Sequence, residues 1–594
     1  MKKFLKTVFA VIVGILIVNL ITFFIVMGAI GSADSKPILP HKGVLSIDMS
    51  KIALQEQVAE DDFMSSLSKL QSGLDVNALA LRDVVTAIQN AATDPAVQYI
   101  FLKTDGATGG MAQLGEFRRA LKNFHNSCSK PIIAYSENPS TGSYYIASVA
   151  DKVYTSAHEG ANFMLTGIGT QLIFVKDLLD RLGVNVQLIR HGKYKAAGEM
   201  FTKSAPSPEN LEQNRLMINS IWSAYSGEIA ESRNISVKDL NSYFDELKIV
   251  DGNDMVLAGL ADGCLTKEEL RGELAKLALA ESYRKVQFID FASYVEARKE
   301  LRFTKNRLAI IYADGEIVDG ENFENISGDR FARIIAQVRE DSTIKAVVLR
   351  VNSPGGSVLA SEKIKSELDL MKGVKPIIAS YGDYAASGGY WISANSDKIF
   401  ASPTTLTGSI GVFSLIPDLS DVARKLAHVN IVSVKSNKHA DMYSMTRALD
   451  SEERSYMQKS VESVYSKFVN IVSEGRELEP AYVDGIAQGR VWAGADALRI
   501  GLVDEMGTLE DALAYAALCA GDADVNNWQV VSYPKPLTFA EAVTATLNKI
   551  PNNDVVFAGT PLENAERAML HWKKNLSKKN FMFARMPYLT SFEK

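Results

Sequence analysis

Gly382-Asp-Tyr-Ala-Ala-Ser-Gly-Gly-Tyr-Trp391 is a run of mostly small residues set between two structured segments. Before it, Lys375-Pro-Ile-Ile-Ala-Ser380 is apolar and short enough for a buried strand over 376–380. After it, residues 390–395 read as the first turns of a helix. Without bulky side chains, the backbone at the junction can approach a ligand closely. A serine on a strand-to-helix elbow, followed by glycine, is a candidate nucleophile with a backbone N–H beside it. The same letters also suit a tight structural turn, so the reading of Ser387 depends on the rest of the chain.

Self-comparison supplies the first test. Lys130-Pro-Ile-Ile-Ala134 matches Lys375-Pro-Ile-Ile-Ala379, and Tyr144-Tyr-Ile-Ala-Ser-Val-Ala-Asp151 matches Tyr390-Trp-Ile-Ser-Ala-Asn-Ser-Asp397. Leu165-Thr-Gly167 pairs with Leu406-Thr-Gly408, Val184-Asn-Val186 with Val429-Asn-Ile431, and Gly259-Leu-Ala-Asp262 with Gly501-Leu-Val-Asp504. Order is kept and the offsets all lie between 241 and 246 positions. The chain therefore reads as a tandem duplication over 36–300 and 301–535. In the second half, strands at 308–312, 346–350 and 376–380 alternate with helices at 330–340 and 360–371. Such alternation predicts an α/β fold with a largely parallel sheet in each repeat. Amphipathic helices are expected near 210–232 and 451–475.

The repeats differ where chemistry would lie. Aligned on Tyr144 and Tyr390, Ser387 faces Thr141; aligned on Asn185 and Asn430, Lys195 faces Ala440 and Lys193 faces Lys438. One repeat keeps the candidate nucleophile and the other keeps a lysine. A serine needs a neighbour that removes its proton. An ordinary lysine, with pKa about 10.4, is protonated at pH 7 and can act as a base only if burial lowers that value. Three alternatives stay open at this level: a local Ser387–Lys438 pair, Lys193, and a histidine base at His191 or His439. No Gly-x-Ser-x-Gly elbow surrounds Ser387.

The 594 residues are 47% apolar with a formal net charge of −6, too long for one core and without the long basic block that nucleic acid binding calls for. No metal-ligand spacing or phosphate-binding Walker loop occurs, so no cofactor is expected. Cys128, Cys264 and Cys519 are scattered and read as core thiols. Lys2, Lys3 and Lys6 precede an apolar run over 8–30, long enough at roughly 1.5 Å per residue to cross a hydrocarbon core of about 30 Å. Its length favours an anchor over a cleaved signal, and the lysines place the bulk of the chain outside the cytoplasm. The stretch from Trp492 to Asp504 reads as a turn, a helix and an edge strand. The tail over 536–594 carries Lys573-Lys574 and Lys578-Lys579 among aromatic residues. It reads as a solvated helix face, with membrane-surface or oligomer contact as alternatives.

Asn352-Ser-Pro-Gly-Gly356, Gly382–Trp391, Leu406-Thr-Gly-Ser-Ile-Gly411 and Gly192-Lys-Tyr-Lys-Ala196 together resemble the signal peptide peptidase A family in its long, duplicated form. The resemblance implies two Clp-protease/crotonase-like repeats behind one transmembrane helix, with 1–35 comprising a cytoplasmic stub and that anchor. It implies a serine–lysine peptidase assembled as a homotetramer on the outer side of the bacterial inner membrane, acting on signal-peptide remnants and other short hydrophobic peptides. It also implies Ser387 as nucleophile, Lys195 as general base, Ser409 as the residue orienting that base, and Gly388 with Gly355 and Gly356 as the oxyanion hole. The first repeat departs from the family pattern at Thr141 and at Asp105-Gly-Ala-Thr-Gly-Gly110, so no second site is expected there. A crotonase-type acyl-CoA enzyme would need neither Ser387 nor an anchor. A membrane scaffold would need no chemistry at all.

Overall fold

The computed structural model describes residues 37–58, 76–299, 304–321, 323, 325–535 and 582–586, with the isolated position 14. The apolar run over 8–30, the expected boundary at 300/301 and most of the tail lie outside these residues. Among them, no helix is long and apolar enough to cross a membrane.

Each repeat is built on a parallel sheet. In the first, the strands lie in the order Gly263–Leu265, Lys152–Ser156, Ile132–Ser136, Val97–Lys103, Gly43–Asp48, Phe288–Asp290. In the second, Glu505–Met506, Lys398–Ala401, Ile377–Ala386, Ile344–Ser353, Arg307–Asp314 and Gln529–Tyr533 follow the same order. The central strands are near-continuous runs of buried β-branched and aliphatic residues, as a sheet covered on both faces requires.

The matched motifs turn out to be matched fastenings. Asp151 accepts from the Ile132 amide at 2.7 Å, and Asp397 from the Ile377 amide at 2.8 Å. Asp262 and Asp504 hold the amides of Val153 and Ile399. The buried Tyr144 and Tyr390 hydroxyls donate to the carbonyls of Leu260 and Leu502. Lys130 and Lys375 each cap two carbonyls at the end of a helix or its following turn. These pairs satisfy buried backbone groups that would otherwise be costly, which is why both copies need them.

Two contacts, among others, lock the repeats together. Arg350, fully buried in the second repeat, binds Glu56 and Glu116 of the first. Burial pushes the Glu116 carboxyl up to about 7, against the pull of Arg350. In addition, Asn185–Arg190 of the first repeat runs antiparallel to Phe413–Asp418 of the second.

Four expectations need correction. The strand expected over 376–380 continues to Ala386, because 381–385 find partners in Val351–Ser353 and Leu406–Gly408. The stretch around Trp492 starts in a strand, Val491–Ala493, antiparallel to Leu406–Gly408, not in a turn. Cys519 is exposed, and neither Cys128 nor Cys264 is fully buried. Within the tail, Met582–Arg585 is a strand between Gly355–Ser357 and Phe413–Asp418, not a helix face.

Candidate active site

The elbow forms because a strand and a helix meet with no linker. The strand ends at Ala386 and the helix Gly388–Ser393 begins two residues later. Ser387 absorbs the change of direction with φ +55° and ψ −112°. A non-glycine residue held at positive φ stores strain, and the surroundings must fix it. They do so at both ends: the Ser387 amide donates to Gly408 at 2.8 Å, and its carbonyl accepts from the Trp391 amide at 2.8 Å. Bulk is excluded beside it. A Cβ at Gly389 would lie 2.7 Å from the Ser353 carbonyl oxygen, and one at Gly388 would lie 2.8 Å from Ser361 Oγ.

The lysine arrives from the other repeat. After Asn185–Arg190 the chain turns at Gly192, whose φ of +95° lets it pack on Gln488. The Tyr194 amide then donates to the Gln488 carbonyl at 2.9 Å. Lys195 follows and lies in a slot between two glycines. A Cβ at Gly489 would sit 2.5 Å from Lys195 Cβ, and one at Gly411 would sit 3.2 Å from its Cδ.

Lys195 Nζ ends 2.8 Å from Ser387 Oγ, 2.9 Å from the Ser409 carbonyl oxygen and 3.0 Å from Ser409 Oγ. All three residues are 0% exposed. A neutral amine has two hydrogens and one lone pair. Ser409 offers two acceptors, which leaves the lone pair for the Ser387 hydroxyl. Desolvation holds the amine well below the ordinary lysine value of 10.5, and no other cause contributes. The nearest acid in sequence, Glu199, is buried but engaged elsewhere. It binds Arg190, Asn210 and both the amide and hydroxyl of Ser207. Burial raises its pKa, and those bonds outweigh the effect and leave it lowered.

Gly355 and Gly356 lie across the elbow at φ +94° and +158°. A side chain at Gly356 would overlap the Ile317 carbonyl, and a Cβ at Gly355 would stand 2.6 Å from the Gly388 amide nitrogen. The loop of Gly355 and Gly356 therefore packs directly against the Gly388 amide at the start of the helix, and backbone amides at such a corner are what a tetrahedral oxyanion needs.

The six residues singled out from the sequence are thus brought together. The competing bases are elsewhere. Lys438 is exposed and paired with Glu452, and Lys193 is exposed over the Tyr194 ring. His191 stacks on Tyr465 at 3.9 Å, and His439 Nδ1 meets Glu453 at 3.0 Å. Sequence reasoning missed Gly411, Gly489 and Arg190, whose guanidinium binds the Lys195 carbonyl at 2.8 Å. Gly489 stood in plain view four positions before Ala493, but nothing local ties it to a lysine in the other repeat.

Comparison with known proteins gives a consistent result. The profile of peptidase family S49 matches residues 125–281 and 369–522, once in each repeat. Protease 4 of Haemophilus influenzae is 34% identical over 488 residues, 80% of this chain and 78% of that protein. Protease 4 of Salmonella typhi is 34% identical over 552 residues, 89% of this chain and 87% of that protein. The chloroplastic serine protease SPPA of Arabidopsis thaliana is 29% identical, across 76% of this chain and 66% of that protein.

Proposed function

The chain belongs to peptidase family S49 and is a serine-type peptidase of the signal peptide peptidase A kind, and from that premise we propose that it cleaves peptide bonds with a Ser387–Lys195 dyad. The observation that carries this reading is the fully buried Lys195 amine, 2.8 Å from Ser387 Oγ and free of any nearby carboxylate partner. Lys195 takes the Ser387 proton as Oγ attacks the scissile carbonyl, then returns it to the leaving amine. The resulting acyl-enzyme is released by water activated by the same lysine. Gly388 and Gly356 donate to the oxyanion, with Gly355 shaping the corner, and Ser409 holds the neutral amine in place without adding charge.

Beyond the chemistry, the apolar run over 8–30 anchors the chain in the inner membrane, with both repeats on the outer side. Its clients are cleaved signal peptides and other short hydrophobic peptides, and it works as a homotetramer of Clp-protease/crotonase-like repeats. These points rest on the sequence pattern and on the family.

The test is labelling by a serine-reactive fluorophosphonate, together with hydrolysis of an unstructured protein. The wild-type chain is expected to label at Ser387 and turn over substrate. Ser387→Ala abolishes both. Lys195→Ala abolishes turnover and slows labelling. Full activity in both variants would sink the dyad, and loss on Lys438→Ala alone would hand the role of base to that residue.

A further inference from the structure

We infer that Gln488 is a positioning residue for the general base, an inference that rests on the dyad reading above. Gln488 lies in the short link between the helix Pro480–Ile486 and the strand Val491–Ala493. Its backbone is held at φ +54°. Ser387 and Ser409 are held likewise, at +55° and +48°. Three non-glycine residues in this costly region thus gather about Lys195, and such strain persists only where the surroundings over-determine it.

At Gln488 that determination comes from the helix Ser451–Arg476. Its Tyr465 is 4% exposed, and the hydroxyl donates to Asp484. The same oxygen accepts from the Gln488 amide at 3.3 Å and from Gln488 Nε2 at 3.2 Å. Nε2 also donates to Asp484 Oδ1 at 2.7 Å. The one hydrogen and both acceptor positions of the hydroxyl are used, which fixes the Gln488 side chain in a single place. His191 of the first repeat stacks on the Tyr465 ring at 3.9 Å and closes the corner.

The link then grips the base and its partner together. The Gln488 carbonyl accepts from the Tyr194 amide at 2.9 Å, one residue before Lys195. Gly489 forms a wall of the lysine slot, and its amide donates to the Ile410 carbonyl at 2.8 Å. The Arg490 carbonyl accepts from the Ser409 amide at 2.7 Å. Gln213 adds a stitch from the first repeat: Nε2 donates to the Tyr194 carbonyl at 3.2 Å, and Oε1 accepts from the Val491 amide at 3.1 Å. Residues 488–491 therefore align two strands of chain at once, the one that brings the amine and the one that brings Ser409. The Gln488 side chain anchors this link to the helix Ser451–Arg476. Without the anchor, the Gly489 wall can draw back from Lys195. The amine then loses its line to Ser387 Oγ, and water reaches it. Burial is what holds that amine below 10.5, so wetting moves it back up. The other charged groups at the link, Asp484 and the Arg490–Glu212 pair at 3.5 Å, stay in place when Gln488 is changed.

The experiment compares the purified full-length wild type with Gln488→Met and Gln488→Gly. It measures hydrolysis of an unstructured protein against pH, fluorophosphonate labelling and thermal unfolding, with turnover counted per labelled site. Gln488→Met is expected to lower kcat by about 10²-fold, the scale of a displacement of about 1 Å, and to leave KM unchanged. The rising limb of its pH profile should move to higher pH, and labelling should slow in step. Gln488→Gly relieves the cost of positive φ but lacks the anchor, so it should lose kcat in the same way without losing stability. Tyr465→Phe should lower kcat less, and adding Gln488→Met to it should cost less than Gln488→Met alone, because both changes cut the same tie. Wild-type kcat and an unmoved limb in either Gln488 variant overturn the inference. A Gln488→Met chain that is only less stable, its labelled fraction turning over as wild type, overturns it too. So does a fall in kcat with the limb unmoved, since one wall serves both alignment and dryness. Lys195→Ala, run alongside, separates the two readings. If it is inactive while the Gln488 variants behave as wild type, only this inference falls; if it keeps wild-type turnover, the dyad falls and the role of Gln488 with it.

Discussion

The two repeats treat the same corner in opposite ways. In the second, Ser387 is held at φ +55° with its hydroxyl toward a buried amine. In the first, Ser140 has an ordinary extended φ of −102° and caps its helix, accepting from the Ser143 amide. Next to it the Thr141 hydroxyl accepts from the amides of Thr166 and Gly167. The facing loops differ as well. In the second, Gly355 and Gly356 bring their loop close against the Gly388 amide at the start of its helix. At the matching corner of the first repeat, the Asp383 carboxylate of the second repeat accepts from the Ala112 amide at 2.7 Å, and a side chain at Gly110 would overlap it. In the first repeat the start of the helix Met111–Ser127 thus holds a carboxylate of the second. The difference teaches that a duplicated loop need not decay into empty space: here it has become a joint between the repeats.

The largest effects should come from breaking the living side of this comparison. Ser387→Ala and Lys195→Met should each lower turnover by roughly 10⁴- to 10⁶-fold, the scale seen when a nucleophile or its base is removed. Lys195→Met should also raise the melting temperature at pH 7. The native lysine has a depressed pKa, so between that value and 10.5 the unfolded chain binds more protons than the native one. That difference destabilises the fold at neutral pH and fades as pH climbs toward 10.5. The stability gain of Lys195→Met should therefore shrink over the same range, and calorimetry against pH would expose the error if it grows. Wild-type turnover should in turn rise with pH through the depressed lysine pKa.

Next in size is the slot. Gly489→Ala pushes a methyl group onto Lys195 Cβ and should cost about 10²-fold in kcat, as a displacement of about 1 Å does elsewhere. Unchanged kcat would mean that the slot yields freely. On the converted side, Asp383→Ala should cost roughly 1–3 kcal/mol of stability by leaving the Ala112 amide buried and unpaired, with turnover per folded molecule nearly unchanged. A fall in kcat with no loss of stability would instead make Asp383 part of the living site. Smallest of all, Thr141→Val should cost about 1 kcal/mol by denaturant titration, and Thr141→Ser should restore no second labelling site.

What was legible in the sequence follows from what the letters do. Asp151 and Asp397, Asp262 and Asp504, and Tyr144 and Tyr390 tie down equivalent backbone groups, so they kept their identity and made the duplication visible. Ser387 and Lys195 could be singled out because each survives in one copy only. Between those fixed points the alignment runs past its physical basis. Asn185–Arg190 is a strand because Phe413–Asp418 pairs with it, whereas Val429, Ile431 and Val434 are 49%, 52% and 97% exposed and outside any strand. The facing of Lys195 with Ala440 compares a buried slot with an open turn. The tail strand was illegible for a different reason. Its partner, Gly355–Ser357, is three residues long and glycine-rich, with no alternating pattern to betray a sheet edge.

The proposed nucleophile and base stand 192 positions apart, with the base first. Protein synthesis delivers the N-terminal repeat first, at roughly 5–20 residues per second. For roughly 10–40 seconds the growing chain carries the lysine without its serine. When the serine does emerge, it waits until the second repeat folds and Phe413–Asp418 docks on Asn185–Arg190. On the proposed dyad, a peptidase divided in this way stays latent through its own biosynthesis, and its first competent moment coincides with the completion of both domains.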